Sequence, residues 1–230
     1  MQNLKATTSE VVHLKTLWSV HYKPLQEVHS IRYSHVKKLF SKVVRKSWHL
    51  GFVVGGLDAV FSDEPLNVMW VKNPYKDRWF ADPFILDVSE KNIILLVEEF
   101  RYSHPVGRIA RLTIDIATMT IVNMDIIIET GSHLSFPNIL REDGKILIYP
   151  ENANAGRQDI YEYDPVSHKA SFAGTICNDC IWDATISDYF GKRMMFTANK
   201  NDYFLDIYEW SEKQSSFVLS HSIESEMKST

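Results

Sequence analysis

The sequence has little that would mark a membrane-spanning or secreted protein. None of its 230 residues lie in an apolar stretch approaching the ~18 residues that cross a bilayer as a helix. The first residues, Met1 to Thr7, contain no apolar signal core. These two observations predict that the chain has no secretory signal and is cytoplasmic.

Cysteine is also scarce. The two cysteines, Cys177 and Cys180, form a single C-x-x-C. A zinc site needs about four ligands, and no second pair exists. A thioredoxin-like pair should open a helix after a strand, whereas this pair lies between two β-type segments. We expect two reduced thiols at a connection between repeats, with a disulfide or half of a metal site as the alternatives.

Positive charge is rare outside the N-terminus. Residues 1–50 contain nine Lys and Arg against two acids, and residues 51–230 contain sixteen against twenty-seven. Because phosphate binding requires positive potential, this acidic body argues against nucleic acid as the ligand. It suits a neutral or cationic ligand such as a sugar. Hydrophobic residues make up 45% of the chain and aromatic residues 12%, which is enough for a packed core.

Residues 1–46 are expected to form a basic, partly helical arm before a β-propeller domain at residues 47–230. Apolar residues between Ser34 and Trp48 fall at helical spacing, with Ser34 as the N-cap and basic residues on the other face. They are Val36, Leu39, Phe40, Val43 and Val44. This helix either packs on the body, links to a preceding domain, or holds the chain at an anionic membrane surface through residues 34–48. Helical character is expected only in the first 50 residues.

Three segments begin a strand in the same way, at residues 81–85, 134–139 and 182–186. A second apolar strand that ends in polar groups follows each of them. A period of roughly 40–55 residues with several strands per repeat predicts a β-propeller. We therefore predict an all-β fold, a partial five-bladed propeller with about three complete four-stranded blades plus N-terminal strands. We expect that the ring is either left open or completed by further C-terminal blades or by an oligomer.

Acidic residues at the strand ends are the main candidates for a site. The first strand of each blade lines the channel of a propeller, so Asp82 and Asp183 are expected to converge. Strand alternation sends one of Glu98 and Glu99 toward the ligand and the other away, and Glu151 holds the matching position in the second repeat. Glycoside hydrolysis needs such carboxylates, one to activate water and one to protonate the leaving oxygen. The alternative is that buried aspartates bond backbone N–H groups between blades.

Asp82, Asp183 and Glu99 are the catalytic candidates. The other residues expected to contact the ligand are Arg78, Trp79, Glu98, His133, Ser135, Glu151, Trp182 and Asn199. No cofactor is predicted, although a channel of acidic and amide side chains could hold Ca²⁺ through oxygen ligands.

Several of these residues stand in the order found in a known domain. The ordered set is Trp48-x-x-Gly51-Phe52, Arg78-Trp79-Phe80-Ala81-Asp82-Pro83-Phe84, Glu98-Glu99-Phe100, Gly107-Arg108-Ile109, His133-Leu134-Ser135-Phe136-Pro137, Pro150-Glu151 and Asp183-Ala184-Thr185. Over roughly residues 48–220 the chain resembles the propeller domain at the N-terminus of glucosamine inositolphosphorylceramide transferases and its bacterial relatives. That domain is similar to the five-bladed propellers of family 43 and family 32 glycoside hydrolases.

The resemblance to the hydrolases implies a role for two aspartates. Asp82 matches the catalytic base or nucleophile, and Asp183 matches an aspartate that orients and tunes the site. The general acid of these hydrolases, a Glu that opens the fourth blade, has no counterpart here. We therefore expect a carbohydrate-active domain that binds a glycan in an axial pocket. The alternatives are an inverting hydrolase with Asp82 as base, and a non-catalytic accessory module of a glycosyltransferase or surface-polysaccharide system.

Overall fold

The computed structural model describes residues 47–198 and 204–224, which fold into antiparallel sheets. The N-terminal pair consists of β1 (Gly51–Val53) and β2 (Val68–Trp70), with a short helix, α1 (Gly56–Val60), between them. Blade 1 contains β3 (Arg78–Val88), β4 (Asn92–Arg101), β5 (His104–Asp115) and β6 (Thr120–Ile128). Blade 2 contains β7 (Ser135–Glu142), β8 (Lys145–Glu151), β9 (Gln158–Asp164) and β10 (Lys169–Cys177). Blade 3 contains β11 (Trp182–Tyr189), β12 (Lys192–Ala198), β13 (Phe204–Ser211) and β14 (Ser216–Glu224).

Each blade is a meander, because its four strands follow chain order and pair antiparallel. Such sheets, repeated side by side, are the unit of a β-propeller. The structure is therefore a partial propeller, and the all-β prediction with three complete blades plus N-terminal strands is confirmed.

The core lies between neighbouring blades. In β4, Ile93, Leu95 and Val97 face the N-terminal strands, while Ile94 and Leu96 pack with blade 2. Successive side chains of a strand point to opposite faces, so one apolar strand of period two supplies both interfaces. A third cluster, which includes Met195, joins blade 2 to blade 3. Face-to-face packing of blades accounts for the long apolar runs of the inner strands.

The same β-bulge interrupts the first strand of every blade. The register shifts at Asp82 in β3, at Phe136 in β7 and at Asp183 in β11. These three residues have positive φ angles of 47°, 43° and 49°. A bulge bends its strand and turns a side chain out of the regular ladder. The repeated strand starts in the sequence thus mark a backbone feature at the same place in each blade.

Strand limits differ from the expectation in a consistent way. The first strand of the first repeat was expected to begin within residues 81–85, but β3 begins at Arg78. The reason is the bulge, which accommodates Pro83 without ending the strand. Helical turns also occur beyond residue 50, at α1 and at Ala153–Ala155, where the sequence predicted none.

The helical arm at residues 1–46 lies outside the described residues, and the domain boundary at 46/47 stays a prediction. Cys177 and Cys180 are both free, the first buried and the second exposed with its Sγ 3.0 Å from the Ala153 carbonyl oxygen. Among the described residues, no helix is both long enough and apolar enough for a membrane crossing.

Candidate functional site

Four carboxyl groups lie close enough to act on one another's charge, and we refer to them as the carboxyl cluster. Its members are Asp82 on β3, Glu98 on β4, Glu151 on β8 and Asp183 on β11. Glu98 and Glu151 occupy equivalent places, because each pairs across the ladder with the residue just before the bulge. The equivalent place in blade 3 is Ala198, opposite Trp182. The propeller thus gathers side chains from three blades that lie far apart in the sequence.

Two members of the cluster also link one blade to the next. Oδ2 of Asp82 accepts a hydrogen bond of 3.2 Å from the backbone N–H of Phe136, the bulge residue of blade 2. Oε2 of Glu151 accepts one of 3.3 Å from the N–H of Asp183, the bulge residue of blade 3. The interblade role that the sequence left as an alternative therefore exists, and each of these carboxyls still has a second oxygen.

The carboxyl groups of the cluster repel one another, and this changes their pKa values. Burial, followed by repulsion from Asp82, Glu151 and Glu99, raises the pKa of Glu98 to about 8. Burial and the charge of Asp183 raise the pKa of Glu151 to about 7. Glu151 is therefore the member of its pair with Asp183 that we expect to hold a proton. Glu98 thus keeps its proton near pH 7, as a general acid must.

The remaining carboxyls of the cluster shift in the same direction. Burial raises the pKa of Asp82, the hydrogen bond from Phe136 lowers it, and the charge of Asp183 raises it again. Burial also raises the pKa of Asp183, against the hydrogen bond with Glu151 that lowers it. Asp183 is nevertheless the most solvent-exposed of the four. Desolvation is thus strongest at Glu98, whose residue is only 6% exposed.

A row of aromatic rings leads toward Glu98. Trp79 stacks on Phe100 with centroids 4.7 Å apart and planes inclined by 9°, and Trp48 meets Trp79 edge-on at 6.5 Å. Phe100 in turn lies 6.5 Å from the ring of His133. Nε2 of His133 is 3.3 Å from Oε1 of Glu98. All four rings are partly exposed, so the row offers an apolar platform beside a polar cluster.

Glu99 points away from the cluster and has different partners. Arg108 donates to its Oε2 through Nε and Nη2, at 3.0 and 2.9 Å, and Arg78 donates to its Oε1 through Nη1 at 3.0 Å. The Glu99 side chain is fully buried. Both oxygens are occupied by guanidinium groups, which favours a structural role over the catalytic one that the sequence suggested. Arg78, expected at the ligand, is likewise committed to Glu99 and Asp77.

Three other residues were expected to contact the ligand: Ser135, Trp182 and Asn199. Ser135 is buried and pairs with Glu151 across the β7–β8 ladder. Trp182 precedes Asp183 and is partly exposed. Its backbone N–H donates a hydrogen bond to Oγ1 of Thr197. Asn199 lies outside the described residues. Sequence reasoning gave no role to Phe100 and Gly107, although both belong to the quoted motifs, because their contacts depend on strand register and on a distant loop.

Two further features bear on where a ligand would bind. Within residues 47–198 and 204–224, no group of three His, Cys, Asp or Glu side chains is arranged to hold a metal ion. A groove of about 660 Å³ lies beside the β11–β12 turn, at the end of β11 far from Asp183. Its charges pair with each other, as in Arg193 with Glu142 and Lys192 with Glu209. We therefore assign the site to the carboxyl cluster and not to this groove.

No protein-family model matches the sequence, and no curated protein sequence matches it. Among solved structures, the chain is similar to an exo-β-1,3-galactanase from Phanerochaete chrysosporium determined with β-1,3-galactotriose. The two share 9% identity and a TM-score of 0.51, over 78% of this chain and 43% of the galactanase. The chain thus spans less than half of that enzyme. At this identity the likeness concerns the fold alone, a β-propeller.

Proposed function

We propose that the chain binds a sugar or a sugar-containing ligand over the carboxyl cluster, in polysaccharide or glycoconjugate metabolism. The observation that carries this proposal is the cluster itself, with four carboxyl groups from three blades beside a row of partly exposed aromatic rings. Sugars offer hydroxyl groups to carboxyls and apolar ring faces to aromatic side chains. The fold shared with a galactanase supports the proposal without specifying the sugar.

Calorimetric titration with a panel of neutral oligosaccharides, β-1,3-galactotriose among them, tests this function. Asp82→Asn keeps an oxygen that can accept from the Phe136 N–H but removes the charge. We expect it to weaken binding ~tenfold or more, as the loss of a charged hydrogen bond does. The matched control is Asp87→Asn, which makes the same change at an exposed position on β3. Equal affinities for the wild type, Asp82→Asn and Asp87→Asn would remove the cluster from the proposal.

A second candidate is an inverting glycoside hydrolase with Asp82 as the base. The observation that favours it is the neighbouring Glu98, whose raised pKa keeps a proton available near pH 7. In this reaction Asp82 takes a proton from water, the water oxygen bonds to the anomeric carbon, and an acid protonates the departing oxygen. Product analysis by proton NMR should detect the inverted anomer first. Absence of turnover for every oligosaccharide that binds would leave binding as the function.

The third candidate is a non-catalytic module of a larger system for glycolipid or surface-polysaccharide synthesis. Its motivation is the basic segment at residues 34–48, which would place the chain at an anionic membrane surface. Sedimentation with phosphatidylserine vesicles compares the full chain with a chain lacking residues 1–46. If the vesicles retain neither form, this third candidate is excluded.

A further inference from the structure

His133 is fixed by a backbone contact that decides where its proton lies. The N–H of Gly107 on β5 donates to Nδ1 of His133 at 2.9 Å, and the N–H of Leu134 donates back to the Gly107 carbonyl at 2.9 Å. Since Nδ1 accepts a hydrogen bond, the neutral imidazole carries its hydrogen on Nε2. That nitrogen is the one 3.3 Å from Oε1 of Glu98. The imidazole hydrogen thus lies on the nitrogen nearer Glu98, within 3.3 Å of its carboxyl.

Only glycine fits at position 107. A Cβ atom there would lie 2.5 Å from the Leu134 carbonyl oxygen, 2.7 Å from Cε1 of His133 and 2.9 Å from Oε1 of Glu98. All three distances are shorter than real Cβ contacts. The missing side chain thus lets the β6–β7 connection, the imidazole and the carboxyl approach the same point on β5.

We propose that His133 is a positioning residue of the carboxyl cluster, whose Nε2–H holds Oε1 of Glu98 so that Oε2 is the oxygen that meets the ligand. This inference rests on the proposed sugar-binding function and deepens it. Glu98 becomes the residue that sets which group of the sugar is accepted. Its only mobile proton sits on Oε2, because Oε1 receives the hydrogen of His133.

The charges around Glu98 support this assignment. Asp82 faces it from β3, Glu151 from β8 and Glu99 from its own strand, and together with burial they raise its pKa to about 8. Burial lowers the pKa of His133, so the imidazole is neutral at pH 7. Glu98 is then a neutral acid that donates from Oε2. The matching ligand presents an oxygen acceptor there, either a hydroxyl or the oxygen that joins two sugars.

Two substitutions at one position separate this role from a general need for negative charge. In Glu98→Gln the amide oxygen still accepts from His133 and the amide nitrogen still donates to the ligand. We expect Glu98→Gln to keep the affinity of the wild type within about threefold, and Glu98→Ala to lose ~tenfold or more. Binding by Glu98→Gln should also stay constant from pH 7 to 9, where the wild type weakens. Equal losses in the two variants would overturn the inference.

A ligand-free measurement tests the positioning role even if no sugar binds. His133→Phe keeps a ring against Phe100 but removes Nε2–H. In the wild type, that Nε2–H stabilises the ionised form of Glu98 more than the neutral form. We expect the Glu98 carboxyl, followed by ¹³C NMR and assigned through Glu98→Gln, to titrate roughly 0.5–1 pH unit higher in His133→Phe. His104→Phe, at an exposed histidine on β5, is the matched control and should not move it. If the Glu98 titration is unchanged in His133→Phe, the inference is overturned. If that titration shifts as expected but no sugar binds, only the proposed sugar-binding function is overturned.

Discussion

The raised pKa of Glu98 has a consequence for stability that can be measured without any ligand. A carboxyl that holds its proton up to about pH 8 in the folded protein, but only to 4.5 when unfolded, makes folding pH-dependent. Below pH 4.5 both states are protonated and the group costs nothing. As the pH rises toward 8 the unfolded state gains stability by ionising, and the folded state does not. Stability is therefore lost across this window.

The size of the effect follows from the width of the window. One pH unit is worth ~1.4 kcal/mol for a group that is protonated in one state and ionised in the other, so the range from 4.5 to about 8 gives ~4–5 kcal/mol. Glu98→Gln has no proton to lose and escapes this cost. Its hydrogen-bonding shape resembles that of the protonated acid. The variant should therefore gain stability over the wild type as the pH rises.

Urea denaturation at pH 5 and pH 8.5 measures the difference directly. We expect the free energy of unfolding of Glu98→Gln, minus that of the wild type, to grow by several kcal/mol between these pH values. Asp87→Asn, at an exposed position on β3, should give a difference that hardly changes. A Glu98→Gln difference that changes by less than ~1 kcal/mol would refute a buried, protonated Glu98.

The neighbouring carboxyl should behave in the opposite way: Glu99→Gln should lower the free energy of unfolding at pH 7 by ~2–3 kcal/mol, because the partly buried guanidiniums of Arg78 and Arg108 lose the buried carboxylate they share and keep only Asp77 and Glu129 as counter-charges. A loss of less than ~1 kcal/mol in the free energy of unfolding would contradict the ion-pair network around Glu99. Trp79→Ala should weaken sugar binding ~tenfold by removing a stacked platform, as calorimetry can test, with an unchanged affinity as the contrary result. Wild-type affinity should fall as the pH rises through about 8, since Glu98 then loses its donor and adds charge, and a pH-independent affinity would contradict this.

Much of the fold was predictable because the blades of the propeller appear as repeats in the sequence. The strand starts at Asp82 and Asp183 recur with a similar spacing of turns and apolar strands, and these positions prove to be bulges with φ angles of 47° and 49°. What the pattern could not show was the exact start of each strand. A proline after Asp82 normally ends a regular strand, and only the bulge explains why β3 passes through it.

The site was only partly predictable, for a reason of geometry. Alternation in β4 states that Glu98 and Glu99 face opposite sides, but it does not state which side is the channel. The register with β3 decides this, by placing Glu98 opposite the residue before the bulge. The contact of His133 with Gly107 joins residues 26 positions apart through a loop, and no local pattern predicts it.

Four carboxyls from three blades should form one site for a sugar. A ¹³C NMR titration with the best-binding oligosaccharide of the panel, following the assigned side-chain carboxyl signals, measures this. We expect the signals of Asp82, Glu98, Glu151 and Asp183 to move together with a single dissociation constant, while that of Glu99 stays in place. Movement of carboxyl signals only outside these four, as in the groove beside the β11–β12 turn, would contradict it.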